Sequence, residues 1–398
     1  MAPHYQHLYD ILAHSQGYIF PNEIDLQWGI LIVVYPFITG LVAGAFILAS
    51  LERVFKVKIL KPTYQIALLT ALSFLLVATM PLISHLSQPR RAYEIMITPH
   101  SSSAMAIFGF VYLWYLTVVL LLEIWFDYRH SMVVWSNERT GIMKWIYKIL
   151  TLGVSDITPK TLKWDRKLGY IITVVGIPSA FILHGYVGFI FGSIKANPWW
   201  STPLMPIIFL FSAMVSGISL VLLVYMIISY FRKKVVDVNV LDAIGKYLFF
   251  VLILDFTLEG LDQIQRIYEA EESFEIIKLL VSSKLYLTLF VSQGLIGTII
   301  PLITLAFLQF YKHQIKLRKT MYFIIGILVL IGVYSMRWNV VIGGQLFSKS
   351  FSGFTSFKVG LIGLDGTLMA AFWLVLPIGI LCFPPVAFTS VEDGQRGR

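Results

Sequence analysis

Asp255, Glu259, Asp262 and Arg266 stand at i, i+4, i+7 and i+11 within a long apolar segment. At about 100° per helical residue they fall within roughly 60° of one another, on one face. Leu248 and Leu252 continue that face without charge, so the polar stripe starts near mid-segment and opens toward one end only. Carboxylates in apolar surroundings are costly unless hydrated, paired or protonated, and each of those states suits proton transfer. Asp255, Glu259 and Asp262 are therefore read as proton-transfer residues. A blander reading makes Asp262 and Arg266 a simple buried i, i+4 ion pair, which leaves Asp255 unexplained.

Other residues invite chemistry less strongly. His184, in Leu183-His184-Gly185-Tyr186, is the one histidine deep in an apolar segment. It is either a helix-contact residue or a functional group at the depth of the stripe. Glu123 is either a proton-path residue or a carboxylate snorkelling toward headgroups. Arg90, Arg91, His85 and His100 group between two apolar segments and could face a partner, a ligand headgroup or phospholipid. The single cysteine, Cys382, permits no internal disulfide. Fe–S clusters take about four Cys ligands, so none is expected in this chain. Without a second deep histidine at matched depth, no haem is expected either. No Walker A motif, Gly-rich dinucleotide loop or metal-ligand spacing is present.

The elements that position these groups follow from hydrophobicity. The chain is 57% hydrophobic and 13% charged, against about 25% charged in soluble domains, and its mean hydropathy is +0.77. A run of about 20 apolar residues spans a bilayer. Nine such runs lie at about 27–51, 62–86, 101–126, 168–192, 203–231, 241–268, 284–311, 320–338 and 368–388. The expected fold is an all-α, polytopic transmembrane helix bundle, one integral membrane domain over residues 1–398. Residues 1–26, with His4, His7, Asp10, His14, Glu23 and Asp25, lack the basic start of a signal peptide. Pro62 and Pro203 suit first helical turns, and Trp199-Trp200 suits an interfacial belt.

Basic residues set the orientation. Of 31 Lys and Arg, 21 fall in odd-numbered connections and the tail, nine on the other side, and Lys246 within span six. The richer side is cytoplasmic by the positive-inside rule. That places the N-terminus outside and the C-terminus inside a prokaryotic cytoplasmic membrane. The net charge of +9 thus reports topology rather than nucleic acid. Ile142 to Leu152, with Lys144 and Lys148 on one face, reads as an interfacial helix. The outer segment 339–367, rich in Gly, Ser and Phe, reads as a re-entrant or partner-binding loop. A tenth span hidden there would invert the C-terminus.

A faint repeat links Thr39-Gly40-Leu41-Val42-Ala43-Gly44 in span one with Ser212-Ala213-Met214-Val215-Ser216-Gly217 in span five. Either both are small-residue helix contacts, or they also mark a parallel duplication. The duplication predicts a first helical unit over 27–192 and a second over 203–338, with 339–398 as outer loop and last span.

One string is more specific: Arg337-Trp338-Asn339-Val340-Val341-Ile342-Gly343-Gly344-Gln345, followed by Leu346-Phe347-Ser348-Lys349. With Thr39-Gly40-Leu41-Val42-Ala43-Gly44-Ala45-Phe46 it resembles the NrfD/PsrC family of quinone-interacting membrane subunits, over nearly the whole chain. Within the family it resembles the HybB/DsrP branch. The continuation leans toward DsrP of the DsrMKJOP complex of dissimilatory sulfur metabolism. The resemblance implies a subunit without cofactors of its own that takes menaquinone or another quinone as substrate. It also implies electron exchange with an extracytoplasmic, ferredoxin-like Fe–S subunit, and further redox subunits, cytochrome b and cytochrome c among them. HybB-like proteins are often assigned ten spans, against nine here. The motif does not fix the quinone ligands. By depth and chemistry we choose His184, Arg337, Asn339 and Gln345 as donors to the quinone oxygens, with Gly343-Gly344 allowing close backbone approach. Two other readings stay open. One is a HybB-like subunit of a membrane-bound hydrogenase. The other is an ion-coupled secondary transporter, which should place broken helices and its site at the midplane.

Overall fold

Apolar runs too long for a soluble core become helices that satisfy their own backbone, because lipid offers no hydrogen-bond partners. The computed structural model describes residues 11–382, apart from 99, 101, 270–271, 312–313 and 364. His4, His7, Asp10, Lys312, Arg396, Arg398 and the C-terminal end of the ninth span lie outside the described residues. Among the described residues, seven helices are long and apolar enough to cross a membrane. They are Ile30–Arg53 (span one), Lys58–His85 (two), Ala104–Glu138 (three), Pro159–Gly192 (four), Met205–Phe231 (five), Tyr286–Phe310 (seven) and Ile315–Gln345 (eight). Val238–Glu269 supplies span six, a 32-residue helix carrying the acidic stripe. Thr367–Cys382 is the shorter ninth. The protein is an all-α, multi-pass bundle, and helices stand at all nine expected places.

Several boundaries differ from expectation. Span four starts at Pro159 rather than 168 because the Asp156 carboxylate accepts from Thr158 N–H (2.8 Å) and Thr161 hydroxyl (2.6 Å) ahead of it. Arg129 then pairs with Asp165, joining the extended ends of spans three and four. Pro62 does occupy a first helical turn. Pro203 does not: that helix begins at Met205 with Pro206 in its first turn. The short helix expected over Ile142 to Leu152 forms at Gly141–Leu150, with Ile142, Trp145 and Ile149 exposed along it. Trp125 holds its end by donating to the Leu150 carbonyl at 2.9 Å.

Span one is enclosed by the other helices. Its small residues meet those of span five: a methyl on Gly44 would collide with the Ala213 carbonyl, and one on Gly217 with the Gly44 backbone. Large apolar side chains such as Ile182, Leu287, Ile303 and Val375 stay exposed on the bundle's rim. That is the distribution of a lipid-facing surface rather than a wetted one.

Residues 346–366 contain no helix among those described, so no tenth span is seen there. They fold over the end of the bundle where the chain begins. Gly353–Phe354 pairs antiparallel with Gln16–Gly17, and the Glu23 carboxylate accepts from the Ser348 hydroxyl at 2.5 Å. His85 and Asp365 meet at 2.9 Å on the same end, and Arg91 pairs with Glu94 at 2.8 Å.

Candidate functional site

The stripe faces inward in part. Asp255 and Asp262 are buried, while Glu259 is half-buried because it borders a cavity. Span seven closes the other side. It winds as a π-helix over Tyr286–Ile299, a wider coil with i→i+5 bonds that favours functional sites. This coil brings Tyr286, Phe290 and Gln293 onto the cavity wall. Gly297 and Gly332 then let spans seven and eight approach backbone to backbone.

The cavity measures about 580 Å³, within the usual range for small-molecule sites. Aromatic and aliphatic residues make most of its wall, among them Phe256 and Ile267 of span six and Tyr286 and Phe290 of span seven. The same four side chains are exposed rather than sealed beneath other helices. The cavity therefore opens sideways, between spans six and seven. Its polar end is a chain of three side chains. Asn339 Nδ2 donates to Gln293 Oε1 at 2.8 Å, and Gln293 Nε2 donates to Glu259 Oε1 at 3.0 Å. Among the described residues nothing partners Asn339 Oδ1.

Two smaller chambers adjoin it. Below, Glu259 and Asp255 border a space of about 10 Å³, about the room of one water, and Asp255 Oδ1 has no partner among the described residues. Above, Asp262 and Arg266 separate the cavity from a polar chamber of about 130 Å³ that also touches Lys195, Gln265 and Glu269. Asp262 and Arg266 form the expected i, i+4 pair at 2.9 Å. Arg266 also donates to the carbonyls of Pro198 and Trp199. Each carboxylate of the stripe thus borders a chamber shared with the next.

His184 and Arg337 lie behind this chain, not on the cavity wall. Arg337 Nη2 donates to His184 Nε2 at 3.0 Å and to Ser212 Oγ at 2.6 Å, and its guanidinium lies 4.0 Å over the Phe209 ring. A guanidinium has no acceptor. His184 Nε2 must therefore be the acceptor, which leaves its proton on Nδ1, facing the Thr39 hydroxyl at 3.4 Å. Arg337 is fully buried, and its charge acts on both Asp255 and Glu259. Gln345 stands elsewhere. Its amide exchanges two 3.0 Å hydrogen bonds with the Trp28 backbone, fastening the segment ahead of span one. Gly344 gives room to the Trp200 indole, which donates to the Val340 carbonyl at 2.6 Å.

Of the residues expected from sequence, Glu259, Asp262 and Asn339 meet at the cavity. Asp255, His184 and Arg337 sit behind it, and Gln345 lies apart. Gln293 is a site residue that the sequence reading misses. Its only signal is an amide within the apolar run Leu289-Phe290-Val291-Ser292-Gln293, uncharged and so outside a search for ionisable groups.

A bundle of apolar helices around a laterally open cavity, with acids and amides at its inner end, defines a multi-pass membrane protein with an internal cavity. Residues 21–349 match the family described as polysulphide reductase, NrfD, and the chain belongs to that family. Over 339 residues it is 27% identical to a selenate reductase subunit of Mesobacillus selenatarsenatis, an alignment covering 83% of this protein and 76% of the relative. Over 336 residues it is 25% identical to a polysulfide reductase component of Wolinella succinogenes, covering 82% and 96%. Over 337 residues it is 23% identical to the NrfD homolog of Haemophilus influenzae, covering 81% and 95%.

Proposed function

We propose that this protein is the quinone-reactive membrane subunit of a respiratory oxidoreductase complex, exchanging electrons between menaquinone or another quinone and an extracytoplasmic Fe–S partner. The reading rests on one observation above all: the apolar cavity opens toward lipid between spans six and seven and ends on Glu259, Gln293 and Asn339. A quinone reaches its site from the bilayer, buries an apolar ring, and needs polar groups only at its oxygens. The names of the relatives, components of selenate and polysulfide reductases, support the setting. The Leu346-Phe347-Ser348-Lys349 continuation favours the DsrP side of the family and sulfur metabolism. The basic-residue count favours the cavity end of the bundle as the outer one, where an Fe–S subunit and further redox subunits would dock.

The chemistry assigns each side chain a task. In the arrangement seen, the cavity meets two acceptors, Glu259 and Asn339 Oδ1. These suit the hydroxyls of a quinol. When quinol is oxidised, its two electrons go to the Fe–S partner, one proton leaves to water, and the other passes to Glu259, which becomes a donor. Glu259 then donates to Gln293 Oε1, the Gln293 amide turns, and its NH₂ donates to Asn339 Oδ1. Asn339 Nδ2 is thereby turned to the cavity, a donor for the quinone carbonyl. The amide pair translates the protonation of Glu259 into a preference for quinone over quinol. Asp262 and the polar chamber above pass the proton outward, while Arg337 holds positive charge, and the neutral His184 fixes it by a hydrogen bond, behind the carboxylates.

The test is quinol-dependent reduction of the partner Fe–S centres in the isolated complex. Glu259→Gln is expected to assemble and to lose most of that activity. Normal turnover with intact assembly would place the site elsewhere. Uptake of a small solute by proteoliposomes, without any quinone-linked redox signal, would favour a transporter instead.

A further inference from the structure

We propose that the first four helices carry a second proton-binding site, at the membrane face opposite the cavity, in which Glu123 holds one exchangeable proton delivered through Tyr64 from Asp127. The site shares no residue with the cavity and stands independently of the quinone assignment.

Glu123 does not snorkel. It is fully buried among spans one to four. Its neighbours are Arg53 from span one, Tyr64 from span two, Asp127 and Tyr115 from span three, and Thr173 from span four. Gly169 makes the site possible, since a methyl there would collide with the Arg53 guanidinium. Lys56 points away, donating to the Arg53 carbonyl at 2.7 Å.

Charge is the first argument. Arg53 Nη1 lies 2.7 Å from Asp127 and 3.6 Å from Glu123. One guanidinium faces two carboxylates, and among the described residues the second negative charge has no counter-ion in a low-dielectric interior. The corresponding cluster on spans six to eight differs. There, among the described residues, Arg318 pairs with one carboxylate, Asp242, and Tyr322 completes the set by donating at 2.9 Å.

Hydrogen count is the second. Four oxygen–oxygen contacts lie at bonding distance: Thr173 to Glu123 at 2.6 Å, Thr173 to the Gly169 carbonyl at 2.9 Å, Tyr64 to Asp127 at 2.6 Å and Tyr64 to Glu123 at 3.1 Å. The two hydroxyls own one hydrogen each. A proton on Glu123 supplies a third. Two further buried oxygens, Glu123 Oε2 and the Tyr115 hydroxyl, have no partner among the described residues, so the acid also has polar atoms beyond the relay.

The relay is short. The Asp127 side chain is 12% exposed and Glu123 is not exposed at all, so a proton enters at Asp127. Tyr64 accepts it from Asp127 Oδ2 and passes its own hydrogen to Glu123 Oε1. One proton moves inward, the tyrosine ends as it began, and nothing is oxidised or reduced.

The full-length protein in lipid nanodiscs tests this by infrared titration. The wild type is expected to show a protonated-carboxyl stretch that Glu123→Gln removes and Glu259→Gln leaves in place. Tyr64→Phe should keep the band while slowing its hydrogen–deuterium exchange at least tenfold. Should Glu123→Gln not fold, Thr173→Val decides, because loss of the Oε1 donor must shift the same band. A band unaffected by these changes, absent at every pH where the protein stays folded, or exchanging at wild-type speed in Tyr64→Phe overturns the proposal.

Discussion

Asn339 and Gln293 join amide to amide at 2.8 Å across spans eight and seven, and this contact fixes how both face Glu259 and the cavity. Because Gln293 accepts from Asn339, its NH₂ must donate to Glu259 (3.0 Å). Three side chains from three helices therefore share one direction of hydrogen bonding.

Breaking the middle of that chain should separate binding from proton transfer. Gln293→Leu leaves Glu259 and Asn339 without their shared partner, a loss of about 1.4–3 kcal/mol, or roughly ten- to hundredfold in rate. Quinol oxidation by the isolated complex is expected to fall by that factor with assembly intact. Gln293→Glu should recover part of the rate at low pH, where the new acid can donate. Wild-type rates in both variants at all pH values would remove Gln293 from the mechanism.

Asp262 has a structural burden that Glu259 lacks. Its partner Arg266 holds the Pro198 and Trp199 carbonyls as well as the carboxylate. Asp262→Asn is therefore expected to loosen the 195–202 connection and lower the melting temperature, at a cost of about 2–3 kcal/mol. Glu259→Gln should melt like the wild type. The comparison is a thermal-shift measurement on both variants in the same detergent, and a reversed order would contradict the assignment.

Packing at the centre of the bundle is the least forgiving feature. Gly44→Ala drives a methyl into the Ala213 carbonyl, and neither backbone can retreat. Gly40→Ala meets the edge of the His184 ring at 3.2 Å, a contact that a shift of a few tenths of an ångström would relieve. Yield of monodisperse protein by fluorescence size-exclusion should collapse for Gly44→Ala and fall only partly for Gly40→Ala. Comparable yields would show that spans one and five do not meet as described.

Orientation can be read directly in cells. With Cys382→Ala as background, Ser136→Cys should resist an impermeant thiol reagent until the membrane is opened, because span three ends on the basic side. Tyr93→Cys, exposed at the cavity end, should label in intact cells. The opposite pattern would invert the molecule and move the cavity to the cytoplasmic half.

The sequence alone determined the helices, because twenty apolar residues in a row have one stable solution in lipid. The stripe was also legible, since a helix of fixed pitch puts Asp255, Glu259 and Asp262 on one side whatever surrounds it. The alternation of basic connections and the Gly40–Gly44 spacing were equally local signals. What the helices turn toward each other was decided only by packing. Arg337 and Asn339 are two residues apart, yet one is sealed against His184 and the other faces the cavity, because a helix turns about 200° between them. Gln345, chemically as fit a quinone ligand as Asn339, is taken up by Trp28, a residue 317 positions away. Gln293 reaches the site through a π-helical coil that no hydrophobic pattern announces. Glu123 owes its burial to Arg53, Tyr64 and Thr173 on three other helices, and such neighbours exist only once the chain has folded.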